Sequence, residues 1–74
     1  MQDKNKVNIA FGMRIQTLRN RLGISQEELS FRAGLNRTYV GDIERGEKNA
    51  SVFTASKLAE GLGITLKELF DYGA

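Results

Sequence analysis

The side chains able to do chemistry are unevenly spread along this chain. Histidine and cysteine are absent. That removes the commonest metal ligand, the commonest general base and any disulfide or thiolate site. No nucleophile–base constellation is left, so neither an enzyme nor a metal or cofactor is expected. Polar and cationic side chains instead gather in one stretch: Arg37, Thr38, Tyr39, Asp42, Arg45, Lys48, Asn49 and Ser51. Side chains of these types offer hydrogen bonds and charge to a partner rather than a reaction. An arginine fork matches guanine O6 and N7, a threonine methyl can touch a thymine methyl, and an aspartate can accept from a cytosine amino group. Lysine, asparagine and serine side chains suit phosphate oxygens.

The elements that position these residues follow from periodicity. Seventy-four residues allow one small domain with a single core. Proline is absent, which tilts the fold towards helices. Residues 1–6 are polar and are expected to form a flexible tail before a domain spanning 7–74. Phe11, Ile15, Leu18 and Leu22 fall on one helical stripe. Gly12 sits inside it, either for a close helix contact or merely tolerated. Ser25 and Glu28 have capping-box spacing before a second helix with Leu29 and Ala33 inward. Asn36 suits the N-cap of a third helix, Arg37 to Arg45, with Val40 and Ile43 inward. Ser51 caps a fourth, with Val52, Ala55, Leu58, Ala59 and Leu62 on its apolar side. Thr65 and Glu68 form a second capping box before a fifth, with Leu66, Leu69 and Phe70. The expectation is all-α: a compact five-helix domain with loops of about three to five residues.

Net charge is only +2, but Lys4, Lys6, Arg14, Arg19 and Arg21 against Asp3 make the first 24 residues basic. The rest carries a slight acidic excess. A polar N-terminus and no long apolar run point away from a signal peptide or membrane span. A cytoplasmic location is expected.

Residues 26–43 hold two short helices joined by a glycine-containing turn, the layout of a helix-turn-helix. Close crossing needs a small residue four positions after Gln26, and Ser30 fills it. The turn needs a residue tolerant of a left-handed backbone, and Gly34 supplies it. Burial of Val40 and Ile43 turns Arg37, Thr38, Gly41, Asp42 and Arg45 outward.

The run from Gln26 to Gly46, with Leu18-Arg19 upstream and Leu58 to Ile64 downstream, resembles the DNA-binding domains of the phage Cro and repressor family. Arg37-Thr38-Tyr39 followed by Ile43-Glu44-Arg45-Gly46 is most similar to the small controller proteins of restriction–modification systems. Ser30 stands where the family usually has alanine, and Ala50 where proline is common before the fourth helix.

The resemblance implies a lambda-repressor-like domain whose third helix enters the DNA major groove. Arg37, Thr38, Tyr39 and Asp42 become candidate base contacts. Gln26, Arg45, Lys48, Asn49 and Ser51 become candidate phosphate contacts. Each has a plainer alternative. Arg37 could be a solvated charge or phosphate contact, and Asp42 could merely orient Arg37 or Arg45. Tyr39 could pack on the second helix, and Gln26 could simply open that helix. Residues 48–51 could be a solvated loop. Gly41 could admit the DNA backbone or be tolerated. The resemblance also implies a structural ion pair between Arg19 and Glu44. Glu27 and Glu28 are candidates for a contact with RNA polymerase, or plain favourable charge at a helix start.

One reading helix buries too little for tight specific binding, so a homodimer on a palindromic operator is expected. Leu66, Phe70 and Tyr72 are its candidate interface, unless they only close the core. The implied function is a sequence-specific DNA-binding transcriptional regulator, a candidate controller of a restriction–modification system. The alternative is an antitoxin-type protein-interaction module with secondary DNA binding.

Overall fold

Each helix begins where a short polar side chain can take up its free amides. In the computed structural model, which describes residues 5–73, Asn5 accepts from the amides of Val7 and Asn8 and opens α1, Lys6–Leu22. Ser25 accepts from the Glu28 amide ahead of α2, Gln26–Ala33. Asn36 accepts from the Thr38 and Tyr39 amides ahead of α3, Arg37–Glu44. Ser51 caps α4, Val52–Leu62, and Thr65 caps the single turn α5, Leu66–Leu69. Among the described residues there is no strand, and no helix is long and apolar enough to cross a membrane. Most of the expected tail falls on residues 1–4, which with residue 74 lie outside the described residues. Asn5 and Lys6 belong to the start of α1.

The two capping boxes differ. At Thr65 both halves form, with the Glu68 carboxylate accepting from the Thr65 amide. At Ser25 the serine half forms, but the Glu28 carboxylate accepts from Arg32 Nε at 2.8 Å. An arginine one turn along outcompetes the backbone amide for that carboxylate. The third helix ends at Glu44, so its connection to α4 spans 45–51, longer than expected.

Ile15, Leu29, Val40, Ile43, Leu58 and Leu69 are sealed from solvent and form the centre of the core. Phe11, Ala33, Ala55, Ala59 and Leu62 surround them. Two residues expected inward are not. Leu22, the last residue of α1, is exposed, and Val52 in the first turn of α4 is 76% exposed. Both sit at helix ends, where the stripe runs past its neighbours. Thr54 takes the inward place in that turn of α4, its hydroxyl 3.1 Å from Ser51 Oγ.

Two close approaches set the position of α3. Ser30, buried on α2, returns its hydroxyl to the Gln26 carbonyl at 2.7 Å. Gly34 then turns the chain with φ 68°, where a side chain would be strained. On the other side, α1 passes so near the end of α3 that a Cβ on Gly12 would collide with the Ile43 carbonyl and lie 2.7 Å from that of Glu44. Of the two explanations for Gly12, the close contact is the one the packing displays.

The short α5 is held from α1. Arg14 donates to the carbonyls of Glu68 at 2.8 Å and Leu69 at 3.2 Å, at the end of the short helix. Its guanidinium also lies over the Tyr72 ring at 5.9 Å. Phe70 follows as the C-cap, half-exposed, with its ring stacked on Phe11 at 5.5 Å.

Candidate nucleic-acid interface

The outward face of α3 divides into free and committed groups. Arg37 and Thr38 stand exposed in the first turn, and among the described residues neither side chain has a hydrogen-bond or ion-pair partner. Asp42 and Arg45 lie further along and pair with each other through Arg45 Nη2. Arg45 Nε also donates to Glu47 at 3.0 Å. The hydrogen bond to Glu47, followed by the charges of Glu47 and Asp42, raises the arginine's pKa despite partial desolvation. Arg45, a candidate phosphate contact, therefore meets any ligand already held by two carboxylates. Lys48 is exposed and, among the described residues, has no carboxylate partner.

Gly41 is buried although it faces away from the core. The side chains of Arg45 and Gln26 fold across it. A Cβ there would lie 3.2 Å from Arg45 Nη1 and 3.5 Å from Gln26 Oε1. Those are the tips of flexible chains, which can give way. Gly41→Ala is expected to raise stability by up to about 1 kcal/mol through helix propensity, while pushing both tips aside. A thermal melt checks this; a lowered Tm would mean that the two side chains cannot move.

Tyr39 is half-buried, with its hydroxyl 3.1 Å from the Asn49 carbonyl and 3.4 Å from Thr54 Oγ1. It ties α3 to the loop that follows. Asn49 Oδ1 accepts from Asn8 Nδ2 at 2.5 Å, anchoring the same loop to α1. Ser51 Oγ accepts from the Thr54 amide at 3.0 Å. Asn49 and Ser51 thus spend their oxygens on shaping the loop, and Lys48 is its uncommitted cation. The parts played by Asn8, Thr54 and Glu47 were not anticipated. Thr54 had a local signal, three residues after the Ser51 cap. Asn8 had none, being far from Asn49 in sequence.

Behind α3 lies a buried polar cluster. The Glu44 side chain has 0% exposure and Arg19 only 14%. Arg19 Nε donates to Glu44 Oε2 at 2.7 Å and Nη2 to Oε1 at 3.0 Å, a two-pronged pair. Arg19 Nη1 donates to the Ile24 carbonyl at 2.9 Å. Gln26 Nε2 donates to Glu44 Oε1 at 2.9 Å. The candidate phosphate contact and the candidate ion pair, assigned separately from the sequence, meet on one carboxylate.

Two of the three candidate interface residues share an apolar edge. Phe70 and Tyr72 border a cleft of about 120 Å³ together with Val7, Phe11, Ala50 and Val52. Leu66 is half-buried against the core. Val7, Val52 and Phe53 are strongly exposed and had no place in the sequence-based interface. Lys57 covers part of the Phe53 ring at 5.6 Å.

Comparison with known proteins gives concordant matches. A helix-turn-helix family profile matches residues 15–69. The control protein C.BamHI of Bacillus amyloliquefaciens is 38% identical over 69 residues, 92% of this chain and 85% of that one. The restriction–modification controller protein C.AhdI of Aeromonas hydrophila superposes with a TM-score of 0.86 at 45% identity, covering 89% of this chain and 100% of that one. The restriction–modification controller protein C.Esp1396I, solved as a tetramer in complex with its natural 35-base-pair operator, superposes with a TM-score of 0.86 at 25% identity, covering 90% and 88%.

Proposed function

The chain belongs to the helix-turn-helix family, among the controller proteins of restriction–modification systems, and we propose that it is a cytoplasmic, dimeric transcriptional regulator that reads a palindromic operator of such a system. The observation that carries this reading is the first turn of α3. Arg37 and Thr38 are exposed and uncommitted there, while Val40 and Ile43 lock the opposite face into the core. Arg37 reads a base edge, with Thr38 and Asp42 beside it. Lys48 and the start of α2 hold phosphates on either side. Tyr39, Asn49 and Ser51 chiefly shape the loop that carries Lys48.

The second copy docks on the apolar edge around Phe70, Tyr72 and Leu66, enlarged by Val7, Val52 and Phe53. Exposed Val7, Val52 and Phe70 grouped with Tyr72 around one cleft support that choice. A polymerase contact would fall to Glu27, because Glu28 is paired with Arg32.

A footprint on the DNA upstream of the protein's own gene tests the reading. Two protected half-sites related by a dyad, about one DNA turn apart, are expected; unprotected DNA would overturn it. Arg37→Ala is expected to relax specificity at one base pair in each half-site, at about 1–3 kcal/mol. Lys48→Ala is expected to weaken binding to all sequences alike and to lower the salt slope by about one. Binding isotherms on matched and substituted operators separate the two. The same uniform loss in both variants would contradict the division of roles.

A further inference from the structure

We propose that Glu44 is a positioning residue for DNA binding, acting through Gln26, and that its pairing with Arg19 does more than hold the fold. The proposal rests on the operator-binding reading above. A carboxylate only accepts hydrogen bonds, so the Gln26 group facing Glu44 must be its NH₂. One of that group's two hydrogens goes to Glu44 Oε1, at 2.9 Å. The other is left to donate outward, and Gln26 is partly exposed in the first turn of α2. Gln26 Oε1 lies beside Gly41, at ordinary contact distance from where a side chain there would begin. The amide is therefore oriented by the carboxylate, with its oxygen turned towards α3.

A glutamine at a helix start ordinarily samples many rotamers, and ordering it opposes binding. Here a hydrogen bond to Glu44 restricts those rotamers before DNA arrives. Arg19 already grips both Glu44 oxygens and the Ile24 carbonyl, just before the α2 cap. The cluster thus joins α1, the entry to α2 and the end of α3 at one carboxylate. A DNA phosphate accepting from Gln26 would be placed in register with α3, and hence with Arg37.

A double-mutant cycle with Gln26→Ala and Glu44→Gln tests this in the full chain. Affinity for the footprinted operator is measured over a range of salt concentrations, well below each variant's melting temperature. Gln26→Ala is expected to weaken binding about tenfold per half-site. Its salt slope should stay unchanged, because no cation is removed. Glu44→Gln should lose a comparable factor, and the double variant should be no weaker than the weaker single one. Wild-type affinity in Gln26→Ala, or losses that multiply in the double variant, would overturn the proposal. If Glu44→Gln does not fold, the Gln26 side-chain amide of the wild-type protein decides the matter by NMR. One proton shifted and exchange-protected beside a freely exchanging partner supports an amide held by Glu44; two protons exchanging alike at ordinary glutamine shifts overturn it. Failure of the wild-type protein to bind any operator would instead remove the reading beneath.

Discussion

Gly12→Ala is expected to cost about 3 kcal/mol or more, a large share of the stability of a domain this small. The added methyl meets main-chain carbonyls of Ile43 and Glu44 rather than flexible side-chain tips. Neither carbonyl can retreat cheaply. Ile43 is packed in the core, and Glu44 is held by Arg19 and Gln26. Overpacking of this kind typically costs about 1–3 kcal/mol, and more where backbone must shift. Alanine's better helix propensity returns only about 1 kcal/mol. Total stability of natural domains is about 5–15 kcal/mol, with small ones at the low end. Urea unfolding measures the loss. An unchanged or higher midpoint would show that α1 and α3 can separate without penalty. At Gly41 the same substitution meets side-chain tips instead of backbone, and it is expected to move stability in the opposite direction.

Arg19→Ala is expected to lose about 3–5 kcal/mol. It leaves the enclosed Glu44 carboxylate with Gln26 as its remaining donor, and an uncompensated buried charge is far worse than no charge. Arg19→Lys should recover only part of the loss, because an ammonium cannot fork onto both oxygens or reach the Ile24 carbonyl at the same time. Replacing the pair together by Arg19→Met and Glu44→Leu should come close to wild-type stability, since packed apolar groups often match a buried ion pair. Denaturant melts of the three variants check the order. If Arg19→Ala unfolds like the wild type, the pair contributes nothing to the fold. If the apolar double variant is stable yet binds operator poorly, the pair's work in recognition becomes visible apart from its work in folding.

What could be read ahead of the structure was whatever a few neighbouring residues decide. The caps at Asn36, Ser51 and Thr65 are local hydrogen bonds, and the inward turn of Val40 and Ile43 follows from helical geometry. Errors arose where a local rule met a competitor, as when Arg32 claimed the Glu28 carboxylate. They also arose at helix ends, where Val52 passes beyond the core. Contacts between distant segments carried no signal at all. Arg14 reaches α5, and Asn8 reaches Asn49, across most of the chain. Even the Arg19–Glu44 pairing came from family resemblance, and nothing in either residue's surroundings suggested that Gln26 would share it. Asp42, Arg45 and Glu47 were close enough to invite pairing, but spacing alone does not say which carboxylate an arginine will choose.

The first turn of α3 has one more implication. Asn36 caps it and Val40 anchors it, so Arg37 and Thr38 support nothing beneath them. Exchanging exposed side chains of that sort usually shifts stability by no more than about 0.5 kcal/mol. The scaffold is thus indifferent to which side chains stand there. On the proposed assignment of Arg37 and Thr38 to base edges, descendants of this chain would change operator through two positions without passing through an unfolded ancestor.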